Sequence, residues 1–115
     1  MSAPFEDLFT LDRLVHEPAR LAILTALAAC RRADYLFLES ITGIPQGNLS
    51  GHLAKLEQAG LVTIEKTFRG KTPRTKLQLT AKGRTSIEQH WYRLEALHKA
   101  AEDWGLKFRR RVTAE

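Results

Sequence analysis

The stretch Ile41–Gly60, ITGIPQGNLSGHLAKLEQAG, decides how the rest of the chain is to be read. Ile41 closes one amphipathic segment and Thr42-Gly43 breaks it. A second helical pattern begins near Pro45, with Leu49, Leu53 and Leu56 at i, i+4 and i+7 on one face. This spacing predicts two short helices joined by a tight glycine-containing turn, the second spanning residues 45–59. Opposite the leucines that helix carries Gly47, Asn48, Ser50, Gly51, Lys55 and Gln58 instead of the Glu/Lys mixture of an ordinary solvated face. Small residues let a helix approach base edges, and amides and hydroxyls pair with them, so the face suits the major groove of duplex DNA. Gln46, Asn48, Ser50, His52 and Lys55 are the candidate groove contacts. A plain exposed helix could carry the same residues, so the flanking sequence has to discriminate.

A chain of 115 residues with 43% hydrophobic content fits one compact domain and one core. The formal charge of +5 and the pI of 9.7 favour a polyanionic partner, although total charge counts for less than its distribution. The lone Cys30 cannot form an internal disulfide, and its place in an apolar helix makes a small core residue the expected role. No apolar run approaches the roughly 20 residues that span a bilayer. The opening MSAPFEDLFTLDRL is acidic where a signal peptide is basic, so a cytoplasmic protein with no membrane partner is expected.

Outward from the central stretch, Phe5 to Val15 reads as an opening helix within residues 1–17, on the stripe Leu8, Leu11 and Val15. Pro18 suits the first turn of a second helix, PARLAILTALAAC, whose wide apolar coverage marks it as the central packing helix. Tyr35-Leu36-Phe37 could make a brief strand before the short helix ending at Thr42. Beyond Gly60, LVTIEKTFR alternates and is rich in β-branched residues. RGKTP reads as a turn, and RTKLQL alternates again, which gives a hairpin with a basic tip. Thr80 is a good N-cap for a long helix from Ala81 to about Trp104, and residues 105–115 read as a loosely ordered basic tail. The fold class is mainly α with a small β-hairpin (α+β), its core within residues 18–80.

That order of elements is the plan of a winged helix-turn-helix, in which the hairpin is the wing. GNLSGHLAKLEQAGLV followed by EKTFRGKTPRTKLQLTAKG closely resembles winged-helix transcriptional regulators of the MarR and ArsR kind. The likeness is strongest to a small group with a GNLS-x-HL-x-KLE-x-AG signature. HEPARLAILTAL resembles the opening helix of the same group, so the resemblance runs from His16 to Leu97. It implies a homodimeric, DNA-binding repressor or activator. Two positions depart from the pattern: Pro45 stands where Ser or Thr would cap the reading helix, and Gly51 costs helix stability on the order of 1 kcal/mol.

From Lys66 to Arg84 the chain carries seven cations and no carboxylate. Such segregation beside the reading helix matches a wing, here residues 66–76, lying along phosphates with its tip at the minor groove. Arg69, Lys71 and Arg74 are the expected contacts. The last long helix should pair two copies through Ile87, Trp91, Leu94, Leu97, Ala101 and Trp104, placing two reading helices on an inverted repeat. His98, Glu102 and His90 are the best approach to a metal set, but without a Cys pair they read as polar flanks of a packing helix. No nucleophile–base pairing, phosphate loop or carboxylate cluster is present, so neither catalysis nor a cofactor is expected. The main rival reading is a winged-helix protein-interaction module, which would have no reason to keep a carboxylate-free wing. A further variant adds an unidentified small-molecule effector held by Trp91, Trp104 and the opening helix.

Overall fold

The computed structural model describes Ala3 and residues 5–113, with side chains as far as Arg109. The elements are α1 (Pro18–Ala29), α2 (Tyr35–Thr42), α3 (Gln46–Gln58), β1 (Val62–Arg69), β2 (Thr72–Leu79) and α4 (Ala81–Thr113). α1 begins where the Glu17 carboxylate accepts the Arg20 N–H at 2.9 Å with Pro18 in the first turn, and it buries Ile23, Leu24 and Leu27. α2 ends at Gly43 in the left-handed region, and α3 follows with Leu49, Leu53 and Leu56 fully buried in the same core. β1 and β2 form an antiparallel hairpin closed by a two-residue Gly70-Lys71 loop, narrower than the five-residue turn expected. Val62 and Leu77 anchor the base of the hairpin in the core.

Three local expectations give way to the structure. Phe5–Val15 is not a helix: a short 3-10 turn spans Glu6–Thr10, and Leu11 is extended. The Asp12 carboxylate accepts the Leu14 N–H at 2.9 Å, a local bond that competes with helix, although Leu11 and Val15 are still buried. Tyr35-Leu36-Phe37 is the first turn of α2, because Asp34 caps it by accepting the Phe37 N–H at 2.8 Å. The extended residue is Ala33, which exchanges backbone hydrogen bonds of 3.0 and 2.7 Å with Leu77 along the outer edge of β2. Residues 105–113 are helical and no loose tail, so α4 is about 50 Å long at 1.5 Å per residue. Stacking of Trp104 on Phe108, 5.2 Å apart and 7° from parallel, carries the helix past Gly105. Residues 114 and 115 lie outside the described part. Cys30 also departs from expectation: it is half-buried at the C-terminus of α1 rather than part of the core.

The opening segment is tied down by polar contacts. His16 Nδ1 lies 3.0 Å from His90 Nε2 of α4, and Arg93 donates to the Thr10 carbonyl at 3.3 Å. Burial lowers the His90 pKa below the ordinary histidine value. The charge of a protonated His16 pushes the same way, Asp12 opposes it and Arg93 adds to the lowering. A neutral His90 can then complete the pair with one N–H and one lone pair between the two rings.

α3 and α4 are locked together at their shared corner. Gly60, at φ +77°, closes α3 with its N–H to the Glu57 carbonyl and the Leu61 N–H to the Leu56 carbonyl, a Schellman ending. Thr80 then caps α4: its hydroxyl donates to the Gly60 carbonyl at 2.6 Å and accepts the Gly83 N–H at 2.9 Å. The first turn of α4 sits so close to this corner that a Cβ on Gly83 would lie 1.9 Å from the Leu61 carbonyl oxygen. Gly83→Ala should therefore destabilise the chain by at least about 2 kcal/mol, in spite of alanine's better helix propensity. Urea unfolding checks this, and an unchanged or raised midpoint would show that the corner opens without cost.

Candidate nucleic-acid interface

Burial of the three leucines turns the other side of α3 outward. Gln46, Asn48, Ser50 and Lys55 are all exposed, as are Gly47 and Gly51 between them. A Cβ at either glycine would meet nothing within 4 Å, so the chain's own packing does not require them. The Ser50 hydroxyl donates back to the Gln46 carbonyl at 3.3 Å, while Asn48 sends only its backbone N–H to Pro45. Pro45 supplies no side-chain cap; its carbonyl accepts the Asn48 and Leu49 N–H groups at 2.9 and 3.0 Å. A helix N-terminus left open in this way can take an anion at its free N–H groups.

His52 points elsewhere. It is half-buried, with Nδ1 3.6 Å from Glu17 Oε2 and 3.4 Å from Arg20 Nη1, so it ties α3 to the start of α1. Backbone N–H donation from Arg20 leads the lowering of the Glu17 pKa, aided by Ala19, His52 and the Arg20 charge against the opposing effect of burial. Arg20 was not singled out by sequence reasoning, yet it also donates to the Leu14 carbonyl at 2.6 Å and so fixes the opening segment, α1 and α3 together. The local pattern could show only its pairing with Glu17 three residues before, and not its contact with α3.

The wing brings the basic residues together unevenly. Lys82 is committed to the Ala59 carbonyl at 2.9 Å, and Arg84 lies 3.9 Å from Glu88. Among the described residues Arg69, Lys71 and Arg74 stand in no ion pair, which leaves their charge available at the hairpin's outer end. Phe68 stands beside them, 72% exposed, an apolar group near the tip that the alternating pattern did not single out.

Of the residues expected at a twin-copy contact, Ile87 must be set aside: it is 1% exposed and belongs to the chain's own core. Leu94, Leu97 and Ala101 are half-buried, and Trp91 and Trp104 are 40% and 44% exposed. Trp91 Nε1 donates to Thr25 at 3.0 Å, and Trp104 meets Phe5 edge-on at 5.8 Å. His98 and Glu102 form an exposed pair at 3.1 Å, and no group of three metal-ligating side chains occurs among the described residues.

A helix-turn-helix followed by a basic two-stranded wing and a long closing helix defines the class of winged-helix transcriptional regulators. This chain belongs to the winged helix DNA-binding domain family, whose sequence profile matches residues 19–98. The chain is similar to the uncharacterized protein MJ0432 of Methanocaldococcus jannaschii, 28% identical over 90 residues that cover 78% of this chain and 98% of that one. Among solved structures, a transcriptional regulator homologue from Pyrococcus horikoshii OT3 superposes with a TM-score of 0.78. It is 26% identical and covers 84% of this chain and 97% of its own. A MarR-family regulator from Silicibacter pomeroyi shares the fold at a TM-score of 0.63 and 18% identity, covering 96% of this chain and 78% of its own. The family points to a transcriptional regulator rather than an enzyme. No helix among the described residues is long and apolar enough to cross a membrane.

If wing cations neutralise phosphates, affinity for duplex DNA should fall by roughly 0.9 log units per log unit of salt for each phosphate contacted. The double substitution Arg69→Ala and Arg74→Ala should flatten that dependence by about 2 such contacts in binding curves over a salt series. An unchanged slope would remove the wing from the interface.

Proposed function

We propose that the chain is a sequence-specific regulator that binds an inverted-repeat operator as a homodimer and acts in the cytoplasm. In this reading Gln46, Asn48, Ser50 and Lys55 face base edges in the major groove. Arg69, Lys71 and Arg74 hold phosphates or enter the minor groove, and His52 orients α3 from behind. The observation that carries the reading is the adjacency of a small-and-amide helix face to a hairpin whose cations have no partner of their own. An interaction-only module would be expected to neutralise such charge.

The second copy is inferred from α4. About 50 Å of helix is far more than one core can cover, and past His90 its described aromatic and aliphatic side chains are at best half-buried. A two-fold pair along Trp91, Leu94, Leu97, Ala101 and Trp104 would cover them and set two α3 helices about 34 Å apart, or a multiple of that. Control by a small apolar effector is a compatible addition. It is supported by a groove between α1, α2 and α4 lined by Leu21, Thr25, Ala26, Ile41 and Trp91, which includes neither Trp104 nor the opening segment.

Light scattering at micromolar concentration should give twice the 13.0 kDa chain mass. Leu94→Glu with Leu97→Glu should give monomers that keep their helical content and lose most specific affinity. A monomer mass for the parent chain, with tight binding to a single half-site, would contradict the dimer.

A further inference from the structure

The outer face of the hairpin forms one wall of a cleft of which the DNA-binding reading uses only Arg69 and Arg74. Register pairs Thr67 with Arg74, Arg69 with Thr72 and Glu65 with Lys76, so these side chains share the face opposite Ile64 and Leu77. The bridge between Ala33 and Leu77 draws the α1–α2 link along the outer edge of β2, bringing Arg32 and the first turn of α2 beside that face. The result is a cleft of about 720 Å³, open to solvent, whose lining includes Arg32, Arg69, Arg74 and Lys76. Among the described residues none of these four stands in an ion pair. The one carboxylate in the lining, Asp34, already accepts the Phe37 N–H as the cap of α2. Even with Glu65 facing Lys76 across the hairpin, the hollow keeps a net positive charge, and an anion relieves the repulsion within it. The apolar part of the wall is made by Cys30, Ala33 and Phe37, the last a residue 42% exposed.

We propose that this cleft binds a mononucleotide-class ligand, its phosphate held by Arg32, Arg69, Arg74 and Lys76 and its flat ring laid against Phe37. Guanidinium forks match phosphate oxygens, an aromatic face accepts a base ring, and the volume lies in the range of small-molecule sites. A DNA strand is the rival occupant, and the layout disfavours it. The α1–α2 link that supplies Arg32 runs along β2, the strand on the far side of the hairpin from the one that α3 packs against. Arg69 and Arg74 are also the wing cations assigned to DNA above, so on that reading ligand and duplex compete for them.

Titration of the full chain without DNA, with adenosine monophosphate and with inorganic phosphate as probes, tests the site by calorimetry or by amide shifts. The nucleotide should bind more tightly than phosphate and move the amides of residues 32–37 and 67–76. Arg32→Ala should weaken both probes by about tenfold, the loss of one charge-assisted hydrogen bond. Phe37→Ala should weaken the nucleotide alone, and circular dichroism should show both variants folded. The nucleotide should lower the DNA affinity of the parent chain but not that of Arg32→Ala, whose own DNA affinity should match the parent's. Nucleotide binding indifferent to both substitutions would overturn the proposal. So would DNA binding weakened by Arg32→Ala with no nucleotide bound, which would give the cleft to a DNA strand. Because the probe titrations contain no DNA, they stand even if the chain proves not to bind duplex.

Discussion

Burial of Leu49, Leu53 and Leu56 under α1 and α2 is the constraint on which the rest of the structure depends. Each fully buried leucine contributes about 1.5–3 kcal/mol relative to exposure, so rolling α3 about its axis would forfeit several kcal/mol at once. The roll of the helix is thereby fixed, and Asn48, Ser50 and Lys55 are held outward without needing any contact of their own. Gly51 fits the same logic: it weakens the helix locally but keeps the outer face flat, and the buried side can bear that loss.

The corner after α3 converts one fixed helix into a fixed assembly. The Schellman ending at Gly60, the double role of the Thr80 hydroxyl and the close approach of Gly83 to Leu61 join α3, the hairpin and α4 within a few residues. On the opposite flank Glu17 and Arg20 hold His52, and His16 on the same segment meets His90 of α4. α4 is therefore coupled to α3 at its start and, through the opening segment, again about a third of the way along. In a homodimer built on α4, such coupling would transmit the distance between copies to the distance between reading helices.

Much of this was legible in sequence where the signal is local. The i, i+4, i+7 leucines, the alternation on either side of Gly70-Lys71 and the Thr80 cap each act within a few residues, and each appears in the structure. Tyr35-Leu36-Phe37 looked like a strand because aromatic and aliphatic residues favour one, but a single capping carboxylate at Asp34 and the burial of Leu38 decided for helix. Phe5–Val15 has helical spacing, yet Asp12 competes for the backbone. Residues 105–113 looked like a tail because of their basic run, whereas the helix continues through Gly105 with Trp104 stacked on Phe108. Ile87 could not be told from the residues around it, since periodicity shows that a face is covered and not by what. The contact between Arg20 and His52, and the cleft that Arg32 lines with the hairpin, join separate segments, and no pattern along the chain reveals them.

The central claim is that the outward face of α3 reads bases. Its most direct test is the affinity of Asn48→Ala for a duplex selected by the parent chain from random sequence, set beside its affinity for the unselected pool. If the Asn48 amide pairs with a base edge, the selected duplex should lose about 1–3 kcal/mol of binding, roughly five- to 150-fold, while the unselected pool changes little. Equal losses on both duplexes would mean that Asn48 only holds the backbone, and no loss on either would contradict the placement of α3 in the groove.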